Sequence, residues 1–190
     1  MPVDRQRAQL AIEDFLRALG RDPDSDPELR GTPERVTDAF ADELLRGYAI
    51  DTQRLVSEAL SPARGDEDLV LVKHIRVATM CPHHLMPALG EALVAYLPGE
   101  HVLGIGTLAR LVHAFAERLT LQETIGEKVV EALMSDAGAR GACCRLRMRH
   151  SCLSARGSRE HTAEVESWAR SGELQGAAGI ALLGAVLGGR

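Results

Sequence analysis

The sequence has no excess of basic residues: 22 Lys and Arg stand against 27 Asp and Glu, a formal net charge of −5. That balance excludes a general nucleic-acid binder, and any anionic ligand must be met by locally placed arginines. No apolar run reaches the roughly 18 residues that a membrane span needs, so no membrane partner is expected. No targeting segment is visible, because acidic and basic residues mix from Asp4 onward. Cysteine is sparse, at four residues. Four thiols in a chain of this length do not read as a disulfide framework; they suit a reducing cytoplasm, where thiols serve metals or catalysis. No internal repeat or low-complexity linker is present. What is there, 45% hydrophobic and 26% charged over 190 residues, is enough for one globular domain with a real core.

Two tight clusters organise the chain. Cys81-Pro82-His83-His84 places a thiol and two imidazoles within four residues, and His150-Ser151-Cys152 adds another of each. Thiolate sulfur and imidazole nitrogen are the ligands Zn²⁺ prefers, at about 2.0–2.3 Å. Cys81, His84 and Cys152 are the expected metal ligands. Three protein ligands leave a fourth position open, as in a catalytic zinc site, with His83 and His150 beside it as proton carriers. The alternative is a closed structural site in which His83 or His150 supplies a fourth ligand.

In chain order, residues 4–19 carry Ile12, Phe15, Leu16 and Leu19 on one helical face, with Gly20 as a stop. Thr32 is placed to cap a second helix with Pro33 in its first turn, striped by Val36, Phe40 and Leu44 and ending near Gly47. Residues 48–68 give no clear pattern. Residues 69–79 read as a strand leading into Cys81, and 90–97 as a second strand closed by Pro98-Gly99. Two prolines put the Cys81 cluster on a turn. Two helices follow, the first striped by Leu108, Leu111, Val112, Phe115 and Leu119. The second opens at Thr120-Leu121-Gln122-Glu123, which has the spacing of a capping box, so that Glu123 would reach back to the Thr120 N–H. Across residues 142–152, Cys144, Leu146, Met148, His150 and Cys152 share one parity and Arg145, Arg147 and Arg149 the other. His150 and Cys152 would therefore point to one face. A following strand offers Glu160, Glu164 and Glu166 as antiparallel partners for the arginines. Residues 177–187 read as a packing helix whose apolar side favours a subunit contact. The fold class is α+β, an N-terminal helical segment over 1–66 and a catalytic core over 67–190 within one functional domain.

The chain resembles the GTP cyclohydrolase I family from about Gly31 to Trp168. The resemblance rests on Thr32-Pro33-Glu34-Arg35-Val36, Cys81-Pro82-His83-His84, Val102-Leu103-Gly104-Ile105-Gly106, Leu121-Gln122-Glu123 and His150-Ser151-Cys152-Leu153-Ser154-Ala155-Arg156-Gly157. It implies zinc-dependent opening of the guanine imidazole ring of GTP, with release of formate and formation of 7,8-dihydroneopterin triphosphate for folate or other pterin synthesis. It implies Zn²⁺ on Cys81, His84 and Cys152, His83 near the ribose, and His150 as the acid at purine N7. Gln122 and Glu123 would read the guanine edge, and Arg35, Arg110 and Arg156 would clamp the triphosphate. It also implies the tunnelling fold (T-fold), an antiparallel sheet with helices on one face. Five subunits would close a barrel, and two rings would stack as a homodecamer with sites between subunits.

The sequence departs from the family pattern at Pro82, where Glu is usual, and at Gly106-Thr107, where a Ser-Lys pair is usual. It departs again at Ser154, and at the last strand, Glu164-Val165-Glu166-Ser167-Trp168. Thr107 lacks the phosphate charge of a lysine but keeps a hydroxyl donor. Two rival readings follow: a related zinc hydrolase acting on another purine nucleotide, or a non-catalytic oligomeric protein that keeps zinc for structure. A nitrile-reducing enzyme of the same fold would not need the metal cluster.

Overall fold

The computed structural model describes residues 3–65 and 68–188. It divides into two compact units, one ending at Arg46 and one beginning at Gly47.

In the first unit, helix α1 spans Arg5–Ala18. The Asp4 side chain accepts the Arg7 N–H at 3.0 Å, and Gly20, at φ 75°, ends the helix where the sequence placed its stop. Helix α2, Thr32–Asp38, packs against α1. Its cap is one residue earlier than expected: Gly31 occupies the cap at φ 74°, and Thr32 is already helical. The Thr32 hydroxyl instead accepts from Arg35 Nη2 at 3.1 Å. The chain continues as a π-helical stretch, Ala39–Leu44. Arg5 bridges the second turn of this pair through Asp38, at 2.7 Å, and Asp42. Within its own unit α1 buries no residue, and Phe15 and Leu19 stay exposed.

A 3₁₀ turn, Arg46–Ala49, spans the boundary, and the second unit goes on with helix α3, Thr52–Ser57, and strand β1, Leu60–Pro62, within the 48–68 stretch that sequence pattern left blank. Here α3 packs on a later helix and β1 pairs with a later strand, so residues 47–62 belong with the core they precede. Four antiparallel strands follow: β2 (Val70–Met80), β3 (Pro87–Leu97), β5 (Gly141–His150) and β6 (Val165–Gly172), in the order β2-β3-β5-β6. The short strand β4, His101–Leu103, pairs with β1. Helices α4 (Ile105–Ala116) and α5 (Gln122–Ser135) cover one face of the sheet. Their apolar stripes, Leu108, Leu111 and Val112 with Ile125, Val129 and Leu133, meet Ala92, Val94, Cys144, Leu146 and Met148, all essentially solvent-free. Burying each large side chain stabilises the fold by about 1.5–3 kcal/mol.

The parity read from the sequence holds along β5 up to His150. Cys144, Leu146 and Met148 face the helices while Arg145, Arg147 and Arg149 face away. Arg147 lies opposite Glu166 in the ladder and pairs with Glu164 at 2.6 Å and Glu166 at 3.4 Å. Glu160 falls in the loop before β6 and joins no strand. Gly90 leaves no room for a side chain between β3 and β5: a Cβ there would lie 2.0 Å from the Arg147 carbonyl oxygen. Helix α7, Ala177–Gly188, returns over one end of the helix-free face, where Leu183 packs with Leu93, Ala95, Cys143 and Leu174. Among the described residues no helix is long and apolar enough to cross a membrane.

Candidate metal centre

β2 and β3 are joined by the first cysteine–histidine cluster. Their hairpin turn is closed by the Cys81 N–H donating to Met86 O at 3.0 Å and the Leu85 N–H donating to Cys81 O at 2.9 Å. Leu85 takes the left-handed conformation, φ 50°, which a branched apolar side chain seldom adopts. The turn brings Cys81 Sγ within 3.7 Å of His84 Nδ1. β5 ends beside it, its last residue His150 pairing with Ala88. The chain then turns into a single helical turn, α6, Ser151–Ser154. Cys152 therefore sits on that turn and not on the strand, and the expected shared face of His150 and Cys152 does not exist. The helical turn instead swings the Cys152 thiol to Cys81 and His84, and the three ligand atoms lie within 4.8 Å of one another.

Donors at 2.0–2.3 Å from an ion at tetrahedral angles lie about 3.3–3.8 Å apart. Two thiols and one imidazole at these separations fit a metal of zinc-like preference after small side-chain adjustments. Burial, and then the neighbouring Cys81 thiol, push the Cys152 thiol up, and Arg156 opposes them. A bound cation would reverse that balance. The other two cysteines, Cys143 and Cys144, are buried in the sheet, and burial pushes both thiols up.

The same thiols line a cavity of about 160 Å³ that also receives His83, Gln122, Glu123 and His150. Gln122 organises it. Its side chain is 2% exposed, and its amide nitrogen lies 3.1 Å from both Leu146 O and Val165 O and 3.0 Å from Ser167 Oγ. Two carbonyls accepting from the NH₂ fix the amide orientation, so Oε1 faces His150 Nε2 at 2.9 Å. An amide oxygen only accepts; Nε2 therefore carries the hydrogen. Burial pushes the His150 pKa down, with Glu123 opposing. The expected capping box is not formed. The Thr120 N–H donates to Met80 O at 3.2 Å, Leu121 is the cap of α5, and the Glu123 carboxylate is left exposed at the cavity.

The family model described as GTP cyclohydrolase I matches residues 8–179. The chain belongs to the GTP cyclohydrolase I family. It is 38% identical to the GTP cyclohydrolase 1 of Leifsonia xyli over 185 residues, covering 97% of this chain and 96% of that protein. It is 36% identical to that of Nitrosospira multiformis, covering 91% of each, and 35% identical to that of Pelagibacter ubique, covering 85% and 79%.

For this GTP cyclohydrolase I family member, the structure gathers Cys81, His83, His84, Gln122, Glu123, His150 and Cys152 around one cavity. Four other residues singled out in the sequence do not line it. Arg110 is exposed on α4, Arg156 is exposed just after α6, and Thr107 is buried in the first turn of α4. Arg35 belongs to the first unit. What sequence reasoning missed is Gln122 as the holder of His150. The signal was present: Gln122 heads the same helical stripe as Ile125 and Val129, an amide on an otherwise apolar face.

Proposed function

We propose that this chain opens the guanine imidazole ring of GTP by zinc-dependent hydrolysis, releasing formate and yielding 7,8-dihydroneopterin triphosphate for pterin synthesis in the cytoplasm. The observation that carries the reading is the convergence of Cys81, His84 and Cys152 on one point beside an imidazole already oriented by Gln122. Bound there, zinc would supply Lewis acidity toward water. The residues do the rest. With Nε2–H committed to Gln122, His150 passes its proton from Nδ1 to purine N7, general acid catalysis by an imidazole. Glu123, free of a capping role, accepts from the N–H donors of the guanine edge, and Gln122 acts on the purine through His150, at N7. His83, exposed on the turn, serves the ribose. Arg35, Arg110 and Arg156 clamp the triphosphate through their planar forks, with the Thr107 hydroxyl in support.

The assembly that fits this reading is a T-fold barrel closed by strands of five subunits, two rings forming a decamer, with residues 67–190 as its catalytic core. Two features support it: β2 and β6 leave the four-stranded sheet with open edges, and α1 and α7 carry exposed apolar residues, among them Phe15, Leu19, Ile180 and Val186. A purine nucleotide with fewer phosphates is the second reading, favoured by the uncharged, buried Thr107.

The test is formate release from GTP by the zinc-loaded protein, with Cys152→Ala as control. Formate together with an oxidisable, fluorescent pterin, both absent in the control, is expected. Formate from GMP or guanosine but not GTP would favour the second reading. Stoichiometric zinc with no formate from any of the three would overturn the enzyme reading.

A further inference from the structure

Away from the metal centre, the helix-free face of the sheet carries a groove of about 440 Å³ lined by Lys73, His74, Glu91, Arg145 and Arg147, with Leu187 of α7 at its border. The groove is built by an irregularity. Successive residues of a strand alternate faces, yet Lys73 and His74 both line it, because the β2–β3 register slips between Val72 and Ile75. His74 sits at the slip with φ 58°, a conformation rare outside glycine. Strain of that kind persists where surrounding structure imposes it, and it clusters at binding sites.

The charges of the groove are unequal in their commitments. Glu91 accepts from His74 Nδ1 at 2.8 Å, which holds its carboxyl below the usual range. Arg147 is bound by Glu164 through two N–H groups at 2.6 and 2.9 Å. Among the described residues no carboxylate is in direct ion-pair contact with Lys73 or Arg145, although Arg145 is near enough to Glu91 to add to the lowering of its carboxyl. The Arg145 guanidinium carbon lies 5.3 Å from the centroid of Trp168, a cation–π contact that holds the group over the ring and uses none of its N–H donors. A free ammonium and a guanidinium held over an indole thus face one concave site in a chain whose net charge is −5.

We propose that this groove is an anion site for the phosphate group of a small phosphorylated molecule, held between Lys73 Nζ and the Arg145 fork. Guanidinium and phosphate match in bidentate geometry, and lysine adds a compact charge. The site is separate from the metal centre: Arg145 precedes His150 by five residues of strand, about 17 Å at 3.3 Å per residue.

Trp168, the only tryptophan, has the Arg145 guanidinium at 5.3 Å and that of Arg170 at 4.3 Å, so its emission responds to a change at Arg145. Pyrophosphate is titrated into the zinc-loaded full-length protein while tryptophan emission is followed. The expected result is a saturable change, weakened at least tenfold in Lys73→Ala, with formate release from GTP unaltered in that variant. Arg145→Ala, followed by calorimetry because it alters the reporter, should weaken binding to a similar degree. Arg110→Ala/Arg156→Ala, directed at the triphosphate clamp, should titrate like wild type. No saturable response, a Lys73→Ala curve superimposable on wild type, or loss of the response in Arg110→Ala/Arg156→Ala would each overturn the proposal.

Discussion

Replacing Gln122 by Met keeps the volume of a buried side chain and removes every polar atom from it. The two N–H groups and the amide oxygen of Gln122 supply three hydrogen bonds, shared among four groups that then lose a partner: Leu146 O, Val165 O, Ser167 Oγ and His150 Nε2. At about 1 kcal/mol for each hydrogen bond lost, the variant should be less stable by about 3 kcal/mol. For a chain of this size that lowers the melting temperature by roughly 6–12 °C. The candidate metal ligands lie on the β2–β3 turn and on α6, and Gln122 reaches them only through His150, the cap residue of α6, so bound zinc should remain stoichiometric. His150, no longer tethered, loses its orientation, and a misplacement of that kind reduces kcat by about 10²-fold. Scanning calorimetry, metal analysis and formate release measure the three quantities separately. An unchanged melting temperature with a raised KM for GTP and intact kcat would refute the reasoning and assign Gln122 to the guanine edge.

The other predictions can be checked on the same protein. Cys81→Ala or Cys152→Ala should abolish both zinc retention and formate release, because two remaining donors do not hold the ion against competition. Gly90→Ala should destabilise by about 3 kcal/mol or more and shift the denaturant midpoint accordingly, since its Cβ would strike the Arg147 carbonyl within the β3–β5 ladder. Arg147→Ala should lower the denaturant midpoint slightly at low ionic strength and less in high salt, as expected of half-exposed pairs. Glu91 titrates below its usual range because His74 hydrogen-bonds its carboxylate. Its contribution to stability is present above the ordinary glutamate pKa and is lost as pH falls through the lowered one. Urea midpoints of Glu91→Gln against pH should show that acid-side slope reduced.

Sequence pattern reached the elements whose periodicity is long and whose burial is one-sided: α4, α5, and β5 as far as His150. The grouping of Cys81, His84 and Cys152, which could hold a metal, was legible because thiols and imidazoles are scarce and here cluster. Local pattern failed where a distant strand intervened. The spacing of Thr120 and Glu123 is that of a capping box, but Met80, forty residues earlier, takes the Thr120 N–H, and no local window contains that competitor. The alternation through His150 and Cys152 continued on paper past the point where the strand loses its partners: β6 pairs only as far as Met148 and β3 only as far as His150, and the freed chain coils into α6. Residues 48–68 stayed illegible because the elements described there, α3 and β1, are too short to show a period, and tertiary contacts define them.

The three ligands come from consecutive edges of one sheet: the loop between β2 and β3 gives two, and the exit of β5 gives the third. An ion seated among them is a clip across the ends of three neighbouring strands, joining residues 81 and 152 as a covalent cross-link would. Strand ends fray first in any sheet, and here the fraying end is the one that holds the ligands. Metal occupancy and order at that margin therefore rise and fall together. Each tenfold gain in free ion above its dissociation constant adds about 1.4 kcal/mol to the folded state. Chelation should loosen β2, β3 and β5 from that end inward, while the α4–α5 core beneath stays closed, a gradient that amide exchange along the three strands would display residue by residue.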